Sequence, residues 1–220
     1  MTTAGSSTVF DFRFCDDSEG WTGGFADLPP SGLEDPAYQL SVGRASLPTS
    51  TGVVGDGLRL AGTNASDDLL MFIKRQVTGL RPSTRYAAKF HVRFATNAGR
   101  GCARDGWVSG GDSVTAKAGA ASVEPQARVK DGMLRLNLDV GNQARAGADA
   151  VVLGSAGADG IGCSGRSHVI RTLASRDAGL LPRSDRDGNL WLFFGFDSGF
   201  EGRSDIHVER IRVELTPVER

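Results

Sequence analysis

Thr78–Thr96 reads TGLRPSTRYAAKFHVRFAT, and its second half decides the fold. Tyr86, Ala88, Phe90, Val92 and Phe94 alternate with Arg85, Lys89, His91 and Arg93. A period of two over this length marks a β-strand with one face on a core and the other in water. The stretch before it, Gly79 to Thr84, supplies a turn: Pro82 fixes its own φ and Gly79 tolerates a positive one. Tyr86, Phe90 and Phe94 are therefore expected to point inward, and Lys89, His91 and Arg93 outward.

Working outward, the same style recurs. Val9–Phe14, Tyr38–Val42, Leu58–Leu60 and Leu69–Val77 read as strands separated by Gly, Pro and Ser clusters. Ser113–Ala118, Met133–Val140, Ala150–Leu153 and His168–Leu173 follow, then Leu190–Phe196 and Ile206–Leu215. LWLFFGF (190–196) is apolar at every position, as a strand covered on both faces would be. IHVERIRVEL (206–215) changes phase between Glu209 and Arg210, which predicts a bulge. No long helical period is present, and only LASRDAGLL (173–181) offers a helical turn. The reading is all-β: a single antiparallel jelly-roll β-sandwich of about ten strands over residues 1–220, with 1–8 as a flexible tail.

Length and charge agree. All-β sandwiches commonly fill 220 residues as one domain. Lys plus Arg (25) nearly cancels Asp plus Glu (26), so no net field favours nucleic acid or an anionic membrane. Glycine, at 30 residues, is about twice the usual share of about 7% and suits many turns. No apolar run reaches the roughly 18 residues of a membrane span. The start, MTTAGSSTVF, has neither the basic nor the apolar region of a signal peptide.

The Gly-Leu-x-Pro-x-Thr-x-Tyr pattern at 79–86 resembles a corner found in fibronectin type III domains and in jelly-roll carbohydrate-binding modules. One such corner in 220 residues fits the jelly roll better, since a fibronectin-type sandwich needs only about 100 residues. FDFRFCDDSEGWTGGFADLP (10–29) resembles the opening of sugar-binding jelly rolls of the galactose-binding-domain type, and IHVERIRVEL their closing strand. SDDLLMFIKRQVTGLRPSTRY (66–86), GNQARAGADAVVLG (141–154) and LWLFFGFDSGFEG (190–202) resemble a bacterial family of exported or lipid-anchored proteins with no established activity. The resemblance implies the fold and an extracytoplasmic location; it carries no catalytic residues.

Chemistry is thinner. His91, His168 and His207 share no metal-ligand spacing, and an exposed strand histidine is the simplest reading of each. No nucleophile elbow, P-loop or dinucleotide fingerprint is present. A carboxylate-based glycosidase would need two acids facing each other; Asp67, Asp68, Asp139, Asp149, Asp197 and Glu201 are available, with no convergence visible. Asp197, Glu201 and Asp205, on one loop near the last strand, are candidates for a structural calcium ion, which takes several oxygen ligands. Asp185, Asp187 and Asn189 alternate like the start of a calcium loop, but the remaining ligands of such a loop are missing, and an Asp-Gly turn feeding the next strand is the favoured reading. For glycan binding, a ring stacks on sugar C–H groups while amides and carboxylates take the hydroxyls. Trp107, in a glycine-rich loop, is the candidate platform or else a loop anchor; Trp191 reads as core, and Trp21 as packing over a sandwich edge. Asn142, Gln143 and Asp149 are candidate polar contacts, or else satisfy their own loop. A non-catalytic glycan-binding or surface module leads, then a polysaccharide-active enzyme, then a purely structural or adhesive domain.

Cys15, Cys102 and Cys163 form an odd set. Cys102 and Cys163 both sit in glycine-rich loops free to meet bridge geometry, so a Cys102–Cys163 disulfide is expected, with three inert thiols as the alternative. The bridge would point to an oxidising compartment.

Overall fold

The computed structural model describes residues 6–102, 110–176 and 179–218. Two antiparallel sheets face each other. Sheet I is built from β1 (Thr8–Phe12), β3 (Ser41–Ser46), β4 (Asp56–Thr63), β6 (Tyr86–Thr96), β11 (Val169–Ala174) and β13 (Arg203–Pro217). Its order is β11-β6-β13-β4-β3. The fifteen-residue β13 pairs with β6 along one side; along the other it takes β4 first and then β1, Phe12 against Ile211. Sheet II holds β2 (Thr22–Ala26), β5 (Leu69–Val77), β7 (Val114–Ala121), β10 (Ala150–Ser155) and β12 (Leu190–Ser198), in the order β10-β7-β12-β5-β2. A small hairpin, β8 (Ala127–Lys130) and β9 (Met133–Leu136), stands apart. This is a jelly-roll β-sandwich, with thirteen strands where the sequence showed about ten. No helix among the described residues is long and apolar enough to cross a membrane.

The β6 pattern holds. Tyr86, Phe90, Val92 and Phe94 are buried between the sheets, while Lys89 and His91 are exposed. The corner closes on itself: the Tyr86 hydroxyl accepts the Arg81 N–H at 2.8 Å, and the Ser184 hydroxyl takes the Thr84 N–H and donates to the Arg81 carbonyl. Gly79 has φ of +81°. The bulge falls at Glu209, where the β13–β6 register shifts between Val208 and Arg210. Asp185 accepts the Asp187 and Asn189 N–H groups, which makes SDRDGN a side-chain-capped turn.

Three expectations change. TGGFA forms β2, which its glycines hide from a hydrophobic pattern. A Cβ on Gly23 would stand 2.2 Å from Val42 Cγ2, so glycine there is what lets the strand lie this close. LASRDAGLL makes no helical turn among the described residues; Leu173 and Ala174 belong to β11, and Leu180 bridges to Ala88. Strand order at the N-terminus begins at Thr8, with the Ser7 hydroxyl 2.7 Å from that of Thr216.

Cys102 and Cys163 form a disulfide with Cα atoms 5.4 Å apart, and Cys15 is free and exposed. The bond ties the connection after β6 to the connection before β11, 61 residues apart. Closing a loop of that size is worth roughly 4 kcal/mol in the chain-entropy account.

Candidate functional site

Sheet II has two buried faces along part of its length. Leu190, Leu192, Phe194 and Phe196 point into the sandwich. The alternate residues of β12, Trp191, Phe193, Gly195 and Asp197, point out the other side. Pairing lines up that outer face in rows: Thr115, Asp197, Leu70 and Ala26; then Lys117, Gly195, Phe72 and Gly24; then Gly119, Phe193, Lys74 and Thr22; then Ala121, Trp191 and Gln76. Leu138, Val140 and the hairpin's Ala127 and Leu136 cover the middle, with Leu70, Phe72 and Phe193 as a second small core.

Under this cover five charged groups meet. Lys117, fully buried, donates from Nζ to Asp197 Oδ2 at 2.7 Å, and Asp197 is fully buried too. The Gln143 N–H donates to the same oxygen at 2.8 Å. Arg135 donates to Asp27 Oδ1 at 2.6 Å and lies 3.9 Å from Asp68 Oδ2. One oxygen from each of Asp27, Asp68 and Asp197 falls within 4.8 Å of the others. Burial, with the charges of Asp197 and Asp27 behind it, pushes the Asp68 carboxyl up to about 8. Burial also raises Asp27, against the pull of Arg135. Near neutral pH Asp68 is therefore protonated, and its proton joins it to Asp197. Asp27 and Asp197 then balance Lys117 and Arg135.

That proton makes stability depend on pH. Asp68 ionises near 3.9 in an unfolded chain and near 8 when folded. Between these values the folded protein holds more protons, so this contribution is full below about pH 4 and is lost as pH rises through 8. His168 works in the opposite sense at lower pH, because burial and then His207 lower its pKa. The difference between wild type and Asp68→Asn isolates the carboxyl. Melting curves should show the variant gaining on wild type from pH 5 to 8, by roughly 2–4 °C at pH 8 for each kcal/mol. Parallel curves would remove the buried proton.

The far end of the same face is open. Trp191 is half-buried beside its pairing partner Gln76, which is exposed. Lys74 sits over the indole at 5.7 Å while bonding Glu124 and the Pro125 carbonyl. Ala121, the other partner of Trp191, also lines a groove of about 280 Å³ whose polar walls include Asn137, Asp149 and Arg183. Trp191, expected in the core, instead leaves the outer face of sheet II; the expectation failed because an unbroken apolar run gives no parity from which to read a side chain's direction.

The residues proposed from sequence fall in several places. Asn142 and Gln143 come to the acidic cluster: Asn142 Nδ2 is 3.4 Å from Asp68 Oδ2, and Gln143 caps Asp197. Asp149 accepts the Asp139 N–H at the groove. Trp107 lies outside the described residues. Trp21 is buried against Phe12 and Phe14 as part of the core, not merely laid over an edge of the sandwich. The calcium set is not brought together. Asp197 leaves the outer face of sheet II; Asp205 leaves the outer face of sheet I, gripped by Arg59 at 2.8 and 2.5 Å. Glu201 is exposed and meets Asp67, whose carboxyl raises its pKa through a shared hydrogen bond. Sequence reasoning missed Asp27, Lys117 and Arg135. Lys117 carried one signal, a charge inside the otherwise small and apolar VTAKAGAA. His207 is buried rather than exposed, and it meets His168 edge to face at 5.7 Å.

No protein-family model matches the chain, and no curated protein matches it. Among solved structures it is similar to the enzymatically active domain of bacteriophage CBA120 tailspike protein 4, at 12% identity and a TM-score of 0.37. That match covers 90% of this chain but only 20% of the tailspike chain. It is similar to the module TmCBM61 in complex with β-1,4-galactotriose: 8% identity, 91% of this chain, 97% of that one, TM-score 0.40. It is also similar to a family 11 carbohydrate-binding module from Clostridium thermocellum in complex with a β-1,3-1,4-mixed-linked tetrasaccharide. There the figures are 8% identity, 97% of this chain, 96% of that one and a TM-score of 0.41.

Proposed function

We propose that the protein is a glycan-binding module acting outside the cytoplasm, with Trp191 as its platform. The observation that supports this is a half-buried tryptophan on the open end of an otherwise covered sheet face. The indole has Lys74 over its ring and Gln76 as its strand partner, and Glu124 holds that lysine; all three groups can hydrogen-bond hydroxyls. The groove beside it brings Asp149 and Asn137 within the same surface. The Cys102–Cys163 disulfide supports the oxidising location. A glycan array with the wild-type protein tests the reading. Any glycan retained should bind Trp191→Ala at least tenfold more weakly, about 1.4 kcal/mol. Retention of nothing, or equal retention by the variant, would overturn it.

A second reading, a polysaccharide-active enzyme, is favoured by one observation: Asp68 and Asp197 converge with one of them protonated near neutral pH. Against it stands their closeness. Glycosidase acids sit about 5–9.5 Å apart to admit a sugar or a water, whereas these share a hydrogen bond, and Asp197 is held by the buried Lys117. New reducing ends from mixed polysaccharides, abolished by Asp68→Asn, would put the enzyme first.

A further inference from the structure

We propose that His168 and His207, the latter held by Asp205, form a site for a divalent transition-metal ion of the zinc type, on the outer face of sheet I. His207 and Asp205 are two apart on β13, so both leave the sheet on the side away from the core, where Ile206 and Val208 point. His168, at the mouth of β11, is carried over them by Ser50, whose hydroxyl accepts the His168 N–H at 2.8 Å and donates to its carbonyl. One donor atom from each of the three residues lies within 4.8 Å of the others, and the two rings stand at 88°.

The hydrogen-bond inventory points to a ligand. A neutral imidazole has one N–H and one lone pair. His207 directs Nε2 at Asp205 Oδ1, 3.5 Å away, which leaves Nδ1 buried with no partner. His168 Nε2 is likewise buried with no partner. His207 is only 6% exposed, so bulk solvent does not reach this nitrogen. An unmet buried polar atom costs about 1–3 kcal/mol, and here two of them occur on neighbouring rings. The surroundings match those of metal-binding histidines, which present one nitrogen to the ion while a carboxylate holds the other. Arg59 grips that carboxylate through both oxygens, and Arg203 lies 3.8 Å from it.

The donor set also selects the ion. Calcium and magnesium take oxygen ligands, whereas imidazole nitrogens suit zinc, nickel and copper. Because Arg59 already neutralises Asp205, the two imidazoles supply most of the attraction. The site is independent of the glycan platform, which lies on the other sheet.

Titration calorimetry of the chelator-stripped, full-length protein with zinc alone tests this. One equivalent should bind, and excess zinc should raise the melting temperature. His168→Ala should bind at least tenfold more weakly, as should His207→Gln, while His91→Ala, an exposed control on β6, should match wild type. Cobalt should give the visible absorption of a nitrogen-ligated ion in wild type, and lose it in His168→Ala. If His207→Gln does not fold, His168→Ala decides. No zinc binding by wild type, unchanged binding by His168→Ala, or an equal response to calcium would each overturn the proposal.

Discussion

Lys117→Ala is expected to cost the fold about 3–5 kcal/mol, the range for breaking a buried ion pair by removing one partner. Lys117 and Asp197 are both fully buried, 2.7 Å apart, at neighbouring positions on adjacent strands. With the ammonium gone, Asp197 keeps only the Gln143 N–H and its contact with Asp68. Lys117→Met, which restores most of the volume, should lose nearly as much, because the stranded carboxylate and not the cavity dominates. Lys117→Met with Asp197→Leu should recover part of the loss, since removing both charges removes the desolvation penalty. Urea denaturation at pH 7 measures all three. A loss below about 1 kcal/mol in Lys117→Ala would mean that water reaches the pair.

Phe90→Ala should cost a similar amount, about 3–5 kcal/mol, for a different reason. Its ring is 1% exposed and sits mid-strand in β6, opposite Val213 of β13. β6 is paired on both sides, so the backbone has little freedom to collapse into the hole. His91→Ala, one residue on and facing water, should change stability by no more than about 0.5 kcal/mol. Equal losses at the two positions would show that the faces of β6 are misassigned.

The contrast between these residues explains what the sequence could disclose. Phe90 announces itself because one wet face and one dry face give β6 a period of two. The bulge at Glu209, the capped turn at Asp185 and the Tyr86–Arg81 contact of the corner were legible because each is set by residues within a few positions of one another, whereas the part that Ser184 plays in that corner was not. β12 was legible as a central strand, yet its apolar run hid which way Trp191 points. β2 was lost because Gly23 and Gly24, which permit its close packing, carry no hydrophobic signal. The acidic cluster draws Asp27, Asp68, Lys117, Arg135 and Asp197 from five separate segments, and His168 meets His207 across 39 positions; no local spacing encodes such meetings. Asp197 and Asp205 show the converse. They are close in sequence, but the chain crosses from sheet II to sheet I between them, and they finish on opposite outer faces.

The disulfide has a mechanical consequence. Thr8 pairs with Leu215, so a pull on the two ends of the chain loads β1 against β13 from one end and parts their hydrogen bonds in sequence. Such unzipping meets little resistance at any instant, and extension would run on into β13 and β4. It would not run through the middle of the chain. Cys102 and Cys163, separated by 61 positions, enclose a segment that contains β7 to β10 and the cover over the acidic cluster. At about 3.3–3.6 Å per residue, roughly 200 Å of contour length is withheld from a stretching force until the bond is reduced.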